Sequence, residues 1–308
     1  MQVLSIGEVL WDVFPAGELL GGAPLNFAAS IVRLGDRAAL IAAVGHDARG
    51  CAAQQQMVKL GIDTEFVQVV HQAGTGVALV RMSAEGEPQY EIPRPAAFDF
   101  IAFSPHALDA AIRLHPEWLY FGTLLQMQPD VEETTHRLAR MLPDLRCFYD
   151  MNLRPGSWEL SLVRRLCALA SIVKLNEFEA RTLGGLMGMD AETFSLAGFC
   201  EAWTSDFKLD SICVTLGAAG CMVYQDGIVH AVPGYPVAVK DTVGAGDAFS
   251  AAFLHGFHFK WPVLRTAQFA NAVGSIVASR AGATPDWSIE ESLALASSPG
   301  KTIGENTN

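Results

Sequence analysis

The chain lacks any apolar run of the roughly 20 residues that a membrane-spanning helix needs. It is also short of positive charge: Lys plus Arg number 21 against 33 Asp plus Glu, a formal net charge of −12. That balance excludes a broad basic surface for tracking nucleic acid or an anionic membrane. Any anionic ligand must then be held by a local device working against the overall field. The six cysteines, Cys51, Cys147, Cys167, Cys200, Cys213 and Cys221, include no Cys-x-x-Cys pair and no zinc-type spacing with histidine. They read as small hydrophobes in a reducing compartment. No basic leader opens the chain, so a signal peptide is not expected and a cytoplasmic location is. What is abundant is core material: 50% of the 308 residues are hydrophobic and 18% charged, which excludes a disordered or disulfide-stapled class.

Short apolar runs alternate with amphipathic segments. Strands are predicted at 2–8, 38–44, 117–121, 145–151, 171–176 and 211–216. Helices are predicted at 23–35, 50–60, 130–142, 159–169, 177–186, 192–204, 246–259 and 263–280. This alternation argues for βαβ units and a mainly parallel sheet. Residues 74–93 break it. There, 76–82 and 89–92 flank a turn-rich 83–88 and read as a hairpin that joins 9–14 in a small separate sheet. A second hairpin turns at Asp226-Gly227, and a polar tail starts at Ser297. No repeat and no linker divides the chain.

Five segments carry candidate chemistry. In Asp241-Thr242-Val243-Gly244-Ala245-Gly246-Asp247, two glycines precede an aspartate that opens an apolar helix. The first amides of a helix have no internal partners, so Gly244, Ala245, Gly246 and Asp247 can form an anion hole. Asp247 would be its one carboxylate, favoured in ionised form by the helix start and able to take a hydroxyl proton during attack on phosphorus. The same residues also make an ordinary helix cap.

Gly21-Gly22-Ala23-Pro24-Leu25-Asn26 opens another helix, with Asp12 upstream. Asp and Asn together can bind vicinal hydroxyls; a plain glycine turn is the alternative. Asn176 and Glu179 stand three apart and fit a capping box, or the water shell of a magnesium ion. Thr215-Leu216-Gly217-Ala218-Ala219-Gly220 has no bulky polar side chain and reads as a loop against a nucleotide or a plain turn. Asp150-Met151-Asn152-Leu153-Arg154-Pro155 sits at a strand end, where Arg154 is a phosphate clamp or a surface ion-pair partner. Walker and complete dinucleotide motifs are absent.

Taken in order along the chain, these segments resemble the ribokinase-like (PfkB) carbohydrate kinases, over 7–286. Gly7 to Pro15, Gly21 to Asn26 and Asp150 to Pro155 look most like bacterial fructokinases. The resemblance implies a three-layer α/β/α fold in one domain over 1–308. It has a mainly parallel central sheet and a small β-sheet lid formed by about 9–20 and 74–98, which in relatives often doubles as a homodimer interface. It implies transfer of the γ-phosphoryl group of ATP to a sugar hydroxyl, with Mg²⁺ and, in many members, K⁺. Asp247 matches the base, and Gly244, Ala245 and Gly246 the anion hole. Asp12, Gly22 and Asn26 match sugar contacts, as does Asp247. Asn176, Thr215, Gly217, Gly220 and Asn271 match nucleotide positions, and Glu179 the magnesium shell. Asp241, Val243, Val277, Arg280, Gly282 and Asp286 match the K⁺ site, where Asp286 replaces a hydroxyl residue of ribokinase.

Ribokinase's mid-chain acidic sugar contact has no match at 123–128, which speaks against ribose. Phe98, Phe100 and Phe103 follow the lid as a sugar-facing wall, a hinge or core. The expected reaction is fructose to fructose 6-phosphate. The rivals are a 2-keto-3-deoxygluconate, ribose or nucleoside kinase, or an inactive sugar-binding regulator.

Overall fold

The computed structural model describes residues 1–15, 17–82, 88–102, 104–142 and 144–298. Phe103, the hairpin turn at 83–87 and the tail from 299 lie outside the described residues. The chain divides into two compact units, 1–145 with 282–284, and 146–281 with 285–308.

The first unit carries β1 (Gln2–Ile6), β2 (Leu10–Phe14), β3 (Gly17–Gly21), α1 (Ala23–Arg33), β4 (Arg37–Gly45), α2 (Ala48–Lys59) and β5 (Val67–Val70). There follow β6 (Gly76–Met82), β7 (Pro88–Glu91), α3 (Pro105–Arg113), β8 (Trp118–Gly122) and α4 (Pro129–Met141). β8, β1, β4 and β5 run parallel in that order. β1 is buried along its whole length, as a parallel strand covered on both faces must be.

The lid is a four-stranded sheet in the order β3-β2-β6-β7. β2 pairs antiparallel with β3 and parallel with β6, so the segment at 10–14 does join the 76–91 hairpin. Asp47 fastens its base: capping α2, its carboxylate accepts from the amides of Gly50 and Thr75, each at 2.7 Å, and from the Thr75 hydroxyl at 2.7 Å. Phe98 is fully buried against Gly76, where any Cβ would collide with its ring, so it is core beneath the lid.

The second unit carries β9 (Arg146–Asp150), α5 (Leu160–Cys167), β10 (Ile172–Asn176), α6 (Glu177–Leu186), α7 (Leu196–Phe207) and β11 (Ser211–Thr215). β12 (Gly220–Gln225), β13 (Ile228–Pro233), α8 (Ala245–His258), α9 (Val263–Ala278) and α10 (Ile289–Ala296) complete it. β9, β10 and β11 are parallel, and the β12-β13 hairpin adds antiparallel to β11. The parallel register places Asn176 beside Thr215, and Lys174 beside Asp150. α8 and α9 pack through small residues: a Cβ on Gly274 would stand 3.2 Å from the Ala245 carbonyl, so α9 backs directly onto the start of α8. All six cysteines are free, and five are buried. Burial pushes the thiols of Cys147, Cys167 and Cys200 up to about 12, so they are inert packing groups at neutral pH.

Candidate active site

In the second unit the strand ends converge on the start of α8. Gly244 is its N-cap in the left-handed region, φ 78°. The Ala245 amide turns back onto the Thr242 carbonyl at 3.2 Å. Ala248 closes the first turn on the Gly244 carbonyl at 2.9 Å. The amides of Gly246 and Asp247 therefore lie ahead of any carbonyl within the helix that could accept from them, where a helix start binds an anion. Asp247 is buried on this first turn.

Asn176 and Glu179 make the capping box. Asn176 Oδ1 accepts from the Glu179 amide at 2.9 Å, and Glu179 Oε2 accepts from the Asn176 amide at 2.8 Å. The other oxygen, Oε1, accepts from Leu153 at 2.7 Å and so tethers the 151–155 loop. Burial raises the Glu179 pKa and outweighs the opposing pull of Lys174. Among the described residues no cluster of three or more His, Cys, Asp or Glu is arranged to hold a metal ion. With a backbone donor on each oxygen, Glu179 suits an ion that keeps its own waters and takes phosphate oxygens, as Mg²⁺ does.

The tethered loop turns at Asn152, whose φ of 43° is left-handed. Asparagine tolerates that conformation better than most residues. Beyond it Arg154 is exposed and makes no ion pair among the described residues. The Thr215 hydroxyl reaches the Leu175 carbonyl at 3.4 Å. Gly217 and Gly220 both have positive φ, and a Cβ on Gly220 would lie 2.1 Å from the Val232 carbonyl. Asn271 Nδ2 sits 3.2 Å from the carbonyls of both Val232 and Pro233, clamping α9 to the end of β13.

Asp241 Oδ1 accepts from the Val243 amide at 3.0 Å, and Val277 is buried in α9. The Arg280 guanidinium donates to the Asp286 carbonyl and to both Glu291 oxygens, at 2.9 and 2.6 Å. Gly282, at φ 85°, belongs to the first unit.

The sugar-side candidates gather in the first unit around the start of α1. Gly22 caps that helix at φ 116°, and a Cβ there would stand 2.3 Å from the Glu8 carbonyl. A Cβ on Gly21 would meet the Asp12 carboxylate at 2.6 Å, so the missing side chain at Gly21 lets Asp12 lie over the turn. Asn26 is buried on the first turn, its amide bonded to the Gly22 carbonyl at 2.9 Å. Glu8 accepts from the Ala23 amide at 3.3 Å and is an acidic member of this cluster that the motif reading did not single out. A further residue without an assigned role is Gln126, almost fully buried just past β8, with neither amide atom hydrogen-bonded among the described residues. Glu8 lies within the Gly7 to Pro15 segment without having been assigned a role there, and Gln126 belongs to no short motif.

A 510 Å³ cavity lined by Arg146, Asp210, Tyr224 and Phe257 lies at the opposite end of the second unit's strands, and no candidate residue lines it.

In the second unit, parallel strands ending on a glycine-rich helix start with a carboxylate on its first turn make the kind of anion-binding strand end that phosphoryl transfer uses. The pfkB family carbohydrate kinase model matches residues 12–290. Fructokinase from Escherichia coli is 30% identical over 268 residues, covering 83% of this chain and 84% of that protein. Among solved structures, fructokinase from Xylella fastidiosa with bound ATP superposes with a TM-score of 0.83, at 24% identity over 96% and 97% of the two chains. Fructokinase from Vibrio cholerae O395 with fructose, ADP and calcium ion gives 0.79, at 25% identity over 96% and 98%.

The chain belongs to the pfkB family of carbohydrate kinases. It has the ribokinase-like α/β fold and is an ATP-dependent sugar kinase. Among the described residues no helix is long and apolar enough to cross a membrane.

Proposed function

We propose that the protein is a fructokinase that transfers the γ-phosphoryl group of ATP to fructose, giving fructose 6-phosphate. The observation that carries this reading is the likeness to the Escherichia coli fructokinase over 83% of this chain; Asp12, Gly22 and Asn26, gathered at the start of α1, are the residues proposed to bind the sugar hydroxyls.

Phosphoryl transfer needs alignment and charge neutralisation more than covalent chemistry. Asp247 orients the attacking hydroxyl and takes its proton. The open amides of Gly246 and Asp247, with Arg154, offset charge on the transferring group, whereas the Ala245 amide is turned onto the Thr242 carbonyl. Asn176, Thr215, the loop at 217–220 and Asn271 form the nucleotide side. Mg²⁺, ordered by Glu179 through its water shell, supplies further neutralisation of the phosphates when bound. The lid sheet, rooted at Asp47, closes over the sugar and excludes water.

K⁺ is a proposed activator, cytoplasm the proposed setting, and a homodimer through the lid the proposed assembly. Light scattering on the purified chain, giving a mass of one or two copies, tests that assembly. ADP release against a panel of sugars tests the reaction, with fructose expected to give the highest kcat/KM.

A further inference from the structure

Lys174 is a buried cation to which the roles above give no task. It stands in the middle of β10, after the apolar Ile172 and Val173, and is 7% exposed. Its Nζ lies 3.1 and 3.2 Å from the two oxygens of Asp150, itself 1% exposed at the end of β9. On its other side it abuts the start of α8, since a Cβ on Gly246 would stand 3.2 Å from Nζ. Ser250, one turn further along α8, lies 2.8 Å from Asp150 Oδ2 and 3.0 Å from the Gly246 carbonyl, and its single proton serves one of them at a time.

Three side chains thus tie β9, β10 and the first turn of α8 together. The groups that face Lys174 are Asp150 from β9, Glu179 from α6, Asp247 from α8 and the Cys213 thiol from β11. One cation serves three carboxylates.

A buried ion pair is seldom a net source of stability, because desolvation cancels much of the attraction. Burial works against the Lys174 charge, and the attraction of Asp150, Glu179 and Asp247 more than reverses it, raising its pKa above the ordinary lysine value. Lys174 therefore stays charged beneath the turn that binds phosphate.

We propose that Lys174, held by Asp150 and Ser250, is a positioning residue for the transfer: it pins the 244–247 turn and supplies the positive charge against which Asp247 works as a base. This rests on the reading of Asp247 above.

The test is the pH dependence of kcat/KM on the full chain, with the sugar turned over best, for wild type, Lys174→Met and Asp150→Asn. Lys174→Met removes the cation, so the acid limb moves up by about one pH unit or more. Asp150→Asn removes a competing negative charge, so the limb moves down. In Lys174→Met the turn also loosens, and kcat falls roughly 10²-fold. A purely structural ion pair would lower melting temperature and kcat without moving the limbs in opposite directions. Limbs that stay in place, or move the same way, overturn the proposal. Each variant has its own required direction, so one that folds is enough to decide. Asp247→Asn separates the two readings. Normal turnover there sinks the base assignment itself. An inactive Asp247→Asn with unmoved limbs sinks only the role of Lys174.

Discussion

Asn176 and Glu179 hold each other across the first turn of α6, each side chain accepting from the other's amide, at 2.9 and 2.8 Å. The second Glu179 oxygen holds Leu153 at 2.7 Å, so one carboxylate organises both the helix start and the loop that carries Arg154. Glu179→Gln keeps the shape and loses the charge. Under the Mg²⁺ reading, apparent Mg²⁺ affinity falls about 10–100-fold. A Mg²⁺ titration of turnover checks this, and an unchanged half-saturation would confine Glu179 to capping.

Asp247 is the second test. If Asp247 is the base, Asn in its place leaves the hydroxyl proton without an acceptor, and kcat falls by roughly 10²–10⁴-fold. ATP binding, measured by calorimetry, survives within a few fold because the turn's amides are unchanged. Loss of ATP binding instead would point to collapse of the helix start.

Gly22 has no room for a side chain. Gly22→Ala forces a Cβ toward the Glu8 carbonyl, 2.3 Å away, in a conformation at φ 116° that L residues rarely adopt. The cost is about 1–3 kcal/mol, read as a drop of several degrees in melting temperature. KM for the sugar rises as Asn26 is displaced with its helix. A stable variant with unchanged KM would detach this turn from sugar binding.

Asp47 ties α2 to the root of β6. Burial alone would raise its pKa, but the hydrogen bonds from Thr75 and Gly50 and the charge of Arg49 more than reverse this and lower it from 3.8. The sign follows: its contribution is present above the unfolded carboxylate range near pH 4, and is lost as pH falls through the lower folded value. Asp47→Ala therefore costs about 1 kcal/mol at neutral pH. Melting curves of the two proteins converge as pH falls below the ordinary carboxylate range, and a gap that does not narrow toward acid would contradict this.

The alternating strands and helices were legible because each buried parallel strand is a short apolar run and most helices carry a cap or glycine stop. β3 was not foreseen as a strand of its own. Gly17-Glu18-Leu19-Leu20-Gly21 has glycines at both ends, and only pairing with β2 makes it one. α10 was missed although Ser288 and Glu291 form a capping box, for its eight residues give barely two turns of periodicity. The glycine-rich helix starts were readable as motifs because their residues are contiguous. Lys174, Asp150 and Ser250 were not readable as a unit: they are 24 and 100 residues apart and meet only through strand register and the placement of α8.

The most direct test of the central claim is ADP release, with and without K⁺, from fructose, glucose, ribose, 2-keto-3-deoxygluconate and adenosine. The account predicts that fructose gives the highest kcat/KM. A preference for the acid sugar, ribose or the nucleoside would contradict it.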